Sequence, residues 1–440
     1  MRVLFVTGEF PPMQGGVGDC TNEIARAVIE RGVEVSVLTS ARDEGRGTWD
    51  KVETADYPLT SDQRLTTNDL QVFRVVKKWD WSVLELIRHA LEVTRADIFH
   101  IEYQTAAFGM QPMINFAPRL LNLYPFAPRP RGRGGRGARS VVTFHDLLPA
   151  YLFPRAGPVR DWVTFQLARS CDAVIATNDE DAARLELVLQ KSVSLIPIGS
   201  NIDPTPPPNF DREALRAQLG IQSDEILLCY FGFLNESKGG ETLIRALAEL
   251  PNAKLLMLGG QTGVSDPTNE QYLARVKQMI DDLHLTPRVI WTDFMPQAQV
   301  SAYFFASDMC VLPYRDGASY RRGTFMAALA HGMAIVTTRV SDLTPMMRQD
   351  DALLNSTRVL THLPSPTRRG ELPPLCDGEN VMLVRADDSH AIAGAVKRIA
   401  ADPELCKKLR NGARTTAEFF MWDKIADAHL ALYEQLLDKS

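Results

Sequence analysis

The feature that most constrains the fold of this chain is a repeated alternation of short apolar runs with amphipathic helical patterns. "RVLFVTG" at 2–8 predicts a buried strand, a helical pattern follows it, and "VEVSVLTS" at 33–40 predicts the next strand. A strand, a helix and a strand in this order form a right-handed βαβ unit with two parallel strands. The beginning of the chain therefore predicts a parallel sheet covered by helices.

The alternation continues in two series, which a proline-rich segment separates. The segment "NIDPTPPPNFDREAL" contains three consecutive prolines, which can continue neither a helix nor a central strand. Further strands are predicted before it at 97–103, 140–146, 172–178 and 193–199, and after it at 225–233, 253–260, 288–294, 308–314 and 333–339. Because a chain of 440 residues exceeds the usual size of one core, we expect two α/β, doubly wound domains, at 1–200 and 201–420.

Composition excludes several classes of function. The formal net charge of -6 argues against a protein that binds nucleic acid. The six cysteines form neither a CxxC pair nor a Cys/His cluster, so we expect buried thiols in a cytoplasmic protein and no zinc site. No Asp-x-Asp pair ends a predicted strand, so we expect neither a divalent metal nor another cofactor.

Glycines fill the turn between the first predicted strand and its helix. In "PPMQGGVGD", Gly15, Gly16 and Gly18 allow the backbone to approach an anion, which the positive end of the helix attracts. The pattern is not GxGxxG, and no acidic residue ends the second strand, so a dinucleotide cofactor is not indicated. A tight turn without any ligand is the alternative.

Segments spread over nearly the whole chain share their order with the motifs of one known family. After the Pro-Pro pair and "GGVG" come "VVTFHD", "IPIGSNID", "FGFLNESKGGETLIRAL", "MAALAHGMAIVTTRV" and "GENVMLVRADD". In this order they resemble the retaining glycosyltransferases of family four. The resemblance implies the GT-B fold, with two Rossmann-like domains facing a cleft and a last helix, at about 421–440, that returns to the first domain.

The same resemblance implies the reaction and its partners. The C-terminal half would bind a nucleoside diphosphate sugar as co-substrate. The N-terminal half would bind a glycan or lipid-linked acceptor, to which the sugar is transferred with retention.

Lys238, in "NESKGG", begins a predicted helix after a strand. An ammonium group there can pair with a diphosphate beside the positive helix end. A solvated surface lysine is the alternative, and the resemblance favours the phosphate role. The family pairs this lysine with an arginine five residues earlier, where this chain has Phe233.

The family's E-x(7)-E signature is absent. Its two positions fall on Ser319 and Ala327, so neither carboxylate is present, although Ser319 can still bond a sugar hydroxyl. The segment "DGASYRRGTFMAALAHG" instead predicts a rebuilt phosphate site at a helix start. The residues of this rebuilt phosphate site are Arg321, Arg322, Gly323 and Thr324. Two adjacent side chains point in different directions, so one arginine is expected to face the donor, and a basic helix cap is the alternative.

Two further positions come from the resemblance. It implies that His145, which ends a predicted strand, lies beside the donor sugar, whereas a structural histidine is the alternative. It also implies that the backbone near Phe294 meets the nucleotide base, with a core phenylalanine as the alternative.

A basic segment and the missing glutamates leave two questions open. Five arginines at 127–139 predict a mobile loop that steers an anionic acceptor or contacts the inner face of a membrane. The loss of both signature glutamates keeps a second function in view, namely a non-catalytic relative that binds a nucleotide sugar or a partner protein.

Overall fold

The structure is a computed structural model. It describes residues 1–13, 15–41, 70–123, 137–147, 157–261, 268–339 and 372–438. The chain divides into two compact units: residues 1–199 together with 422–440 form the first, and residues 200–421 form the second. None of the described helices combines the length and the apolar character that crossing a membrane requires.

A parallel sheet of seven strands forms the centre of the first unit. The strands are β1 (Arg2–Thr7), β2 (Glu34–Ser40), β3 (Leu70–Val76), β4 (Ile98–Tyr103), β5 (Arg139–Phe144), β6 (Ala173–Ala176) and β7 (Ser194–Leu195). They lie in the order β3-β2-β1-β4-β5-β6-β7. The helices between them are α1 (Gly16–Ile29), α2 (Val83–Thr94), α3 (Ala117–Leu123), α4 (Gly157–Ser170) and α5 (Asp179–Leu189). Every residue of β4 is buried, as expected for a parallel strand whose two faces are both covered.

A second parallel sheet, of six strands, forms the centre of the second unit. Its strands are β8 (Ile226–Phe231), β9 (Ala253–Leu258), β10 (Val289–Trp291), β11 (Met309–Leu312), β12 (Ala334–Thr338) and β13 (Met382–Val384). They lie in the order β10-β9-β8-β11-β12-β13. The helices of this unit are α6 (Arg212–Gln218), α7 (Gly240–Ala248), α8 (Thr268–Asp282), α9 (Gln297–Ala306), α10 (Gly323–Ala330), α11 (Ser389–Ala401) and α12 (Pro403–Ala417).

The last helix, α13 (Trp422–Asp438), belongs to the first unit. It packs against α1, and Tyr433 is fully buried in the apolar cluster that contains Phe5 and Val28. Arg31, just after α1, donates to the backbone oxygen of Asp423 at 2.9 Å and adds a charged contact at the edge of this packing. The N-terminal sheet is thus completed by a helix from the other end of the sequence.

Both sheets place a topological switch between two central strands. In the first sheet β1 lies next to β4, and in the second β8 lies next to β11. The connections leave such a pair in opposite directions, so the loops after the two strands separate and make room at the carboxyl edge of the sheet. These two edges are where ligands of doubly wound folds bind.

The predicted doubly wound α/β fold with parallel sheets is confirmed. Some details differ. The strand predicted at 193–199 has two residues, and Arg139, predicted in the basic loop, begins β5 and pairs with Asp172 at 3.2 Å. Residues 127–136 of the basic segment lie outside the described residues.

A carboxylate joins three elements of the second unit. Asp308, before β11, accepts from Arg216 Nη1 of α6 at 2.9 Å and from the backbone N–H of Leu227 of β8 at 2.8 Å. It also accepts from Arg212 Nη2 at 2.6 Å. Because Arg216 is buried, loss of the carboxylate leaves a guanidinium without its counter-ion.

Asp308→Ala should therefore lower the free energy of unfolding by roughly 3 kcal/mol, the lower end expected for a buried pair, since Asp308 itself is partly exposed. Urea unfolding of the whole chain measures this change. Glu379→Ala is the matched control, because Glu379 pairs with Lys408 on the surface and should change stability by less than about 1 kcal/mol. Equal effects of both substitutions would contradict the assignment.

Candidate functional site

Glycines shape the carboxyl edge of β8. Gly232 follows this strand with φ +107, and a Cβ there would lie 2.5 Å from Thr324 Cγ2 and 3.2 Å from Lys238 Nζ. Gly239 has φ +68, and a Cβ there would lie 2.0 Å from the backbone oxygen of Pro313. Only glycine fits either position without strain. The two glycines bring Lys238, which follows β8, close to Thr324, which lies in the segment after β11.

Lys238 is half-buried at this edge. Among the described residues, no carboxylate or other acceptor contacts its ammonium group. Burial, together with the charge of nearby Arg322, lowers the pKa of Lys238 to about 8. The ammonium is therefore mostly charged at neutral pH, and it lacks the counter-ion that a half-buried cation normally has.

Arg321 and Arg322 share one carboxylate. Arg321 Nη2 lies 3.3 Å from Asp316 Oδ2, and Arg322 Nη2 donates to Asp316 Oδ1. The Arg322 guanidinium also lies over the ring of Tyr314, 4.1 Å from its centre, in a cation–π contact. The Nε atom of Arg322 is buried and has no partner among the described residues. Both arginines are thus held in place, and Arg322 is the one near Lys238.

The start of α10 completes this edge. Arg322 precedes the helix as its N-cap residue, and no side chain caps the first turn. Within the described part of the chain, the backbone N–H groups of Gly323 and Thr324 bond no acceptor. The Thr324 hydroxyl pairs with Tyr314 OH at 2.7 Å. Free N–H groups at a helix start favour an anion, so they add to the positive charge of Lys238 and Arg322.

The altered positions of the family motifs lie around this edge. The ring of Phe233 occupies the space beside Gly260, where a Cβ would lie 2.6 Å from its Cε1 atom. Ser319 is half-buried in the turn before α10, and its backbone oxygen accepts from Arg322 N at 3.2 Å. Ala327 is fully buried inside the unit. The methyl group of Ala327 therefore cannot contact a ligand.

In the first unit, the start of α1 already holds an anion. Glu9 Oε1 accepts from Val17 N at 3.1 Å and Gly18 N at 3.4 Å. Burial raises the pKa of Glu9, although these two bonds oppose the change. A Cβ at Gly15 would lie 2.0 Å from Glu9 Cδ, whereas a Cβ at Gly16 would meet no described atom within 4 Å. The position of the Glu9 carboxylate thus explains why a glycine is required at position 15. Contacts of Gly15 and Gly16 with the donor stay predictions.

His145 lies at the carboxyl edge of the first sheet, directly after β5. Its Nε2 atom lies 2.6 Å from Glu102 Oε2, at the end of neighbouring β4. His145 is 9% exposed, whereas Glu102 is completely buried. His145 also interacts electrostatically with Glu9, so the three residues lie near one switch point. The contact with Glu102 was missed by sequence reasoning, since it joins two strands that are distant in the chain.

Phe294 and Trp81 are exposed, whereas Trp79 is buried. Phe294 is 67% exposed, so the alternative that it is a core residue is wrong. Its contact with a nucleotide base stays a prediction. Trp79 is buried, and its indole N–H donates to Ser40 Oγ at 2.9 Å, whereas Trp81 is 71% exposed.

Two family models match the chain. Residues 15–199 match a glycosyl transferase 4-like domain, and residues 211–353 match the glycosyl transferases group 1 family. Together they match well over half of the chain. Among curated relatives, D-inositol 3-phosphate glycosyltransferase of Xylanimonas cellulosilytica is 25% identical over 279 residues, which are 61% of this chain and 58% of that protein. The match thus spans less than two thirds of the length of such relatives.

Solved structures share the fold. Sucrose-phosphate synthase of Thermosynechococcus elongatus has a TM-score of 0.69 and 20% identity, with all of both chains covered. Anabaena HepE in complex with UDP and glucose has a TM-score of 0.67 and 16% identity, with 99% of this chain and all of that chain covered. Such neighbours establish the predicted GT-B fold.

The pKa of Lys238 generates a prediction for anion binding. An anion at this edge should bind the protonated ammonium, so pyrophosphate affinity should fall above about pH 8, by up to roughly tenfold for each pH unit. In Lys238→Arg the side chain stays charged throughout this range, so this decrease of affinity with pH should be absent. Calorimetric titrations of both proteins across this range compare the two slopes, and ionisation of pyrophosphate cancels in the comparison. Parallel slopes would remove Lys238 from the anion site.

Proposed function

This chain belongs to the group 1 glycosyl transferases, with a 4-like N-terminal domain, and on that premise we propose that it transfers a sugar from a nucleoside diphosphate sugar to an acceptor, with retention. The reaction requires a site that stabilises the negative charge of the departing diphosphate. The carboxyl edge of the second sheet is the candidate for that site.

The observation that carries this proposal is the charge balance at the start of α10. Arg322 lies close enough to Lys238 for its charge to lower the pKa of the ammonium group, and among the described residues no carboxylate contacts that ammonium. Arg322 bonds Asp316, and the N–H groups of Gly323 and Thr324 bond no acceptor within the described part of the chain. A guanidinium has five N–H donors, so Arg322 can bond a phosphate oxygen while it keeps Asp316. A diphosphate has the charge that this edge lacks.

The donor base and sugar are proposed from the neighbours. Anabaena HepE is described in complexes with UDP, with UDP and glucose, and with UDP-glucose. UDP and UDP-glucose are therefore the first ligands to test, in thermal-shift and transfer assays with other nucleotide sugars alongside. We propose that the backbone near Phe294 meets the base and that Ser319 bonds a sugar hydroxyl.

The acceptor is proposed from the resemblance and from the curated relatives. We propose a glycan or lipid-linked hydroxyl, with D-inositol 3-phosphate included in the panel because a relative is named for it. Transfer without a divalent metal, a cytoplasmic location and contact of the basic segment at 127–139 with an anionic surface are further proposals. Each rests on the sequence alone.

The second candidate function is donor binding without turnover. The observation that favours it is the identity of Ser319 and Ala327, which replace the two signature glutamates. Donor hydrolysis separates the two functions, because a transferase passes its sugar slowly to water and a pure binder does not. Release of glucose from UDP-glucose by the wild-type protein, with UDP as the second product, supports transfer; binding without release supports the alternative.

Removal of single cations tests the donor site. Lys238→Ala and Arg322→Ala should each weaken UDP binding by about 10- to 100-fold, because each removes a charge-assisted contact with phosphate. Arg321→Ala should be milder, since Arg322 is the arginine near Lys238. Calorimetry with UDP measures all three affinities.

The matched controls are cations that already have their counter-ions. Arg315 pairs with Asp387 at 3.0 Å and with Glu236 at 2.9 Å, and Lys254 pairs with Glu225 at 3.0 Å. Arg315→Ala and Lys254→Ala should leave UDP affinity within about twofold of wild type. Losses as large as those of Lys238→Ala would show a general electrostatic effect instead of a defined site.

His145 should matter for turnover more than for donor binding, because its proposed contact is with the reacting sugar. His145→Ala should lower kcat of donor hydrolysis by about 10²-fold or more and change the affinity for UDP little. Calorimetry and thermal unfolding of the same variant provide the control. Equal losses of kcat and affinity, or a fall in stability alone, would favour the structural alternative.

A further inference from the structure

A buried polar cluster lies behind His145 in the first unit. Its members come from β4, β5 and α13, and all of them are almost completely buried. They are His100, Glu102, Thr143, His429 and Tyr433. Glu102 is the one carboxylate among them, and a buried carboxylate is costly unless hydrogen bonds or an opposite charge compensate it. The question is which group compensates Glu102.

The side chains of this cluster do not suit a metal ion that would compensate Glu102. Ligand atoms of His100, Glu102 and His429 lie within 4.8 Å of one another. His100, however, already uses both ring nitrogens: Nδ1 lies 2.5 Å from Tyr433 OH, and Nε2 lies 2.7 Å from Thr143 Oγ1. One carboxylate oxygen and one imidazole nitrogen remain, too few for a closed structural site of four ligands. The set fits a hydrogen-bonded network better than a metal site.

Within the described residues, His145 makes the one hydrogen bond to the Glu102 carboxylate. Glu102 Oε1 is buried and makes no hydrogen bond, with His100 Nε2 at 3.5 Å, whereas Oε2 lies 2.6 Å from His145 Nε2. A carboxylate accepts, so Nε2 of His145 must donate its proton. The neutral imidazole then has a lone pair at Nδ1, and no described residue bonds that atom.

Burial disfavours the charged forms of the other titratable groups around Glu102. Burial lowers the pKa of His100 to about 3 and also lowers the pKa of His429. Burial likewise raises the pKa values of Tyr433 and of the Cys20 thiol on α1. Burial by itself would raise the pKa of Glu102, but the neighbouring histidines hold it below its usual range.

Further charges near His145 come from the loop after β1 and from α1. Glu9 in that loop interacts with the His145 ring, and burial raises the pKa of Glu9. Asp19 and Glu23 lie on α1, where they interact electrostatically with Cys20. Asp146 is the next residue in the chain. The hydrogen bond that the structure describes to the His145 ring is the one with Glu102.

We propose that Glu102 is a positioning residue for His145: its buried carboxylate accepts the Nε2 proton, fixes the tautomer of the imidazole and leaves Nδ1 free to accept a hydrogen bond from a hydroxyl of the bound sugar. This proposal deepens the proposed transferase function and rests on it for the identity of the ligand. The position of the proton does not depend on that identity.

The decisive measurement is ¹⁵N NMR of ring-labelled histidine in the full chain at a pH where the imidazole is neutral. His145→Gln assigns the signal among the eight histidines by its loss. We expect Nε2 to carry the proton in the wild-type protein and Nδ1 to be unprotonated. A proton at Nδ1 in the wild type would overturn the proposal, whether or not any variant folds.

Variants of Glu102 test the cause of that tautomer. In Glu102→Leu no acceptor remains, so the fraction protonated at Nδ1 should rise about threefold or more, whereas the amide oxygen of Glu102→Gln can still accept from Nε2. Tyr433→Phe is the matched control, because it removes a bond to His100 and leaves the bond between Glu102 and His145. An unchanged tautomer in Glu102→Leu, or an equal change in Tyr433→Phe, would contradict the proposal.

Kinetics separate this proposal from the proposed function. If donor hydrolysis is found, Glu102→Leu should lower kcat about tenfold with little change in UDP affinity, and it should cause no further loss in a His145→Ala background. Additive losses would contradict action through His145. If no hydrolysis is found, the transferase proposal fails, and the tautomer measurement still decides the role of Glu102.

Discussion

The order of the parallel strands determines which functional side chains of this chain lie close together. In each sheet the connections leave two central strands in opposite directions, so the loops after those strands form an open edge. Lys238 follows β8, and the segment with Arg322 and Thr324 follows β11, so their approach is a consequence of strand adjacency. The same rule brings Glu9 after β1 and His145 after β5 to the edge at which β4 ends with Glu102.

The carboxyl edges of the two sheets differ in the sign of the charge that has to be compensated. At the edge of the second sheet, the ammonium of Lys238 has no acceptor among the described residues, and the free N–H groups at the start of α10 add to the positive potential. At the edge of the first sheet, the carboxylates of Glu9 and Glu102 are compensated from within the unit, by the start of α1 and by His145. The first edge is therefore complete without an anion, whereas the second lacks one. This difference favours the second unit as the binding site of a phosphate.

The sequence predicted the alternation of strands and helices well because parallel strands buried on both faces are nearly continuous apolar runs. It failed where the pattern is weak or short. β3 mixes half-buried polar residues with apolar ones, and the proline and glycine in "VSLIPIG" leave β7 with two residues. Ordered motifs also located Lys238 and the Arg321–Arg322 pair. The partners of these residues were harder to predict, because spatial neighbours such as Glu102 and His145 are separated by a whole connection.

Gly15 illustrates a further limit. A glycine at a helix start predicts room for an anion, and the structure has an anion there, but it is the chain's own Glu9 carboxylate. The chemistry of the position was predictable from the sequence, since only backbone N–H groups and the helix dipole are required. The source of the anion was not, because a turn of the main chain brings Glu9 back to the helix.

The changes in the family's motifs are best understood together. The family's motif would place an arginine five residues before the lysine, where this chain has Phe233. Arg322, from the segment after β11, lies near Lys238 instead. A chain that had merely lost its donor site would have no reason to hold Arg322 between Asp316 and the ring of Tyr314, close to an ammonium that lacks a partner. Electrostatic repulsion between Lys238 and Arg322 costs stability in the empty protein, and a diphosphate would relieve it. The approach of Arg322 to Lys238 therefore favours a redistributed phosphate site over an abandoned one.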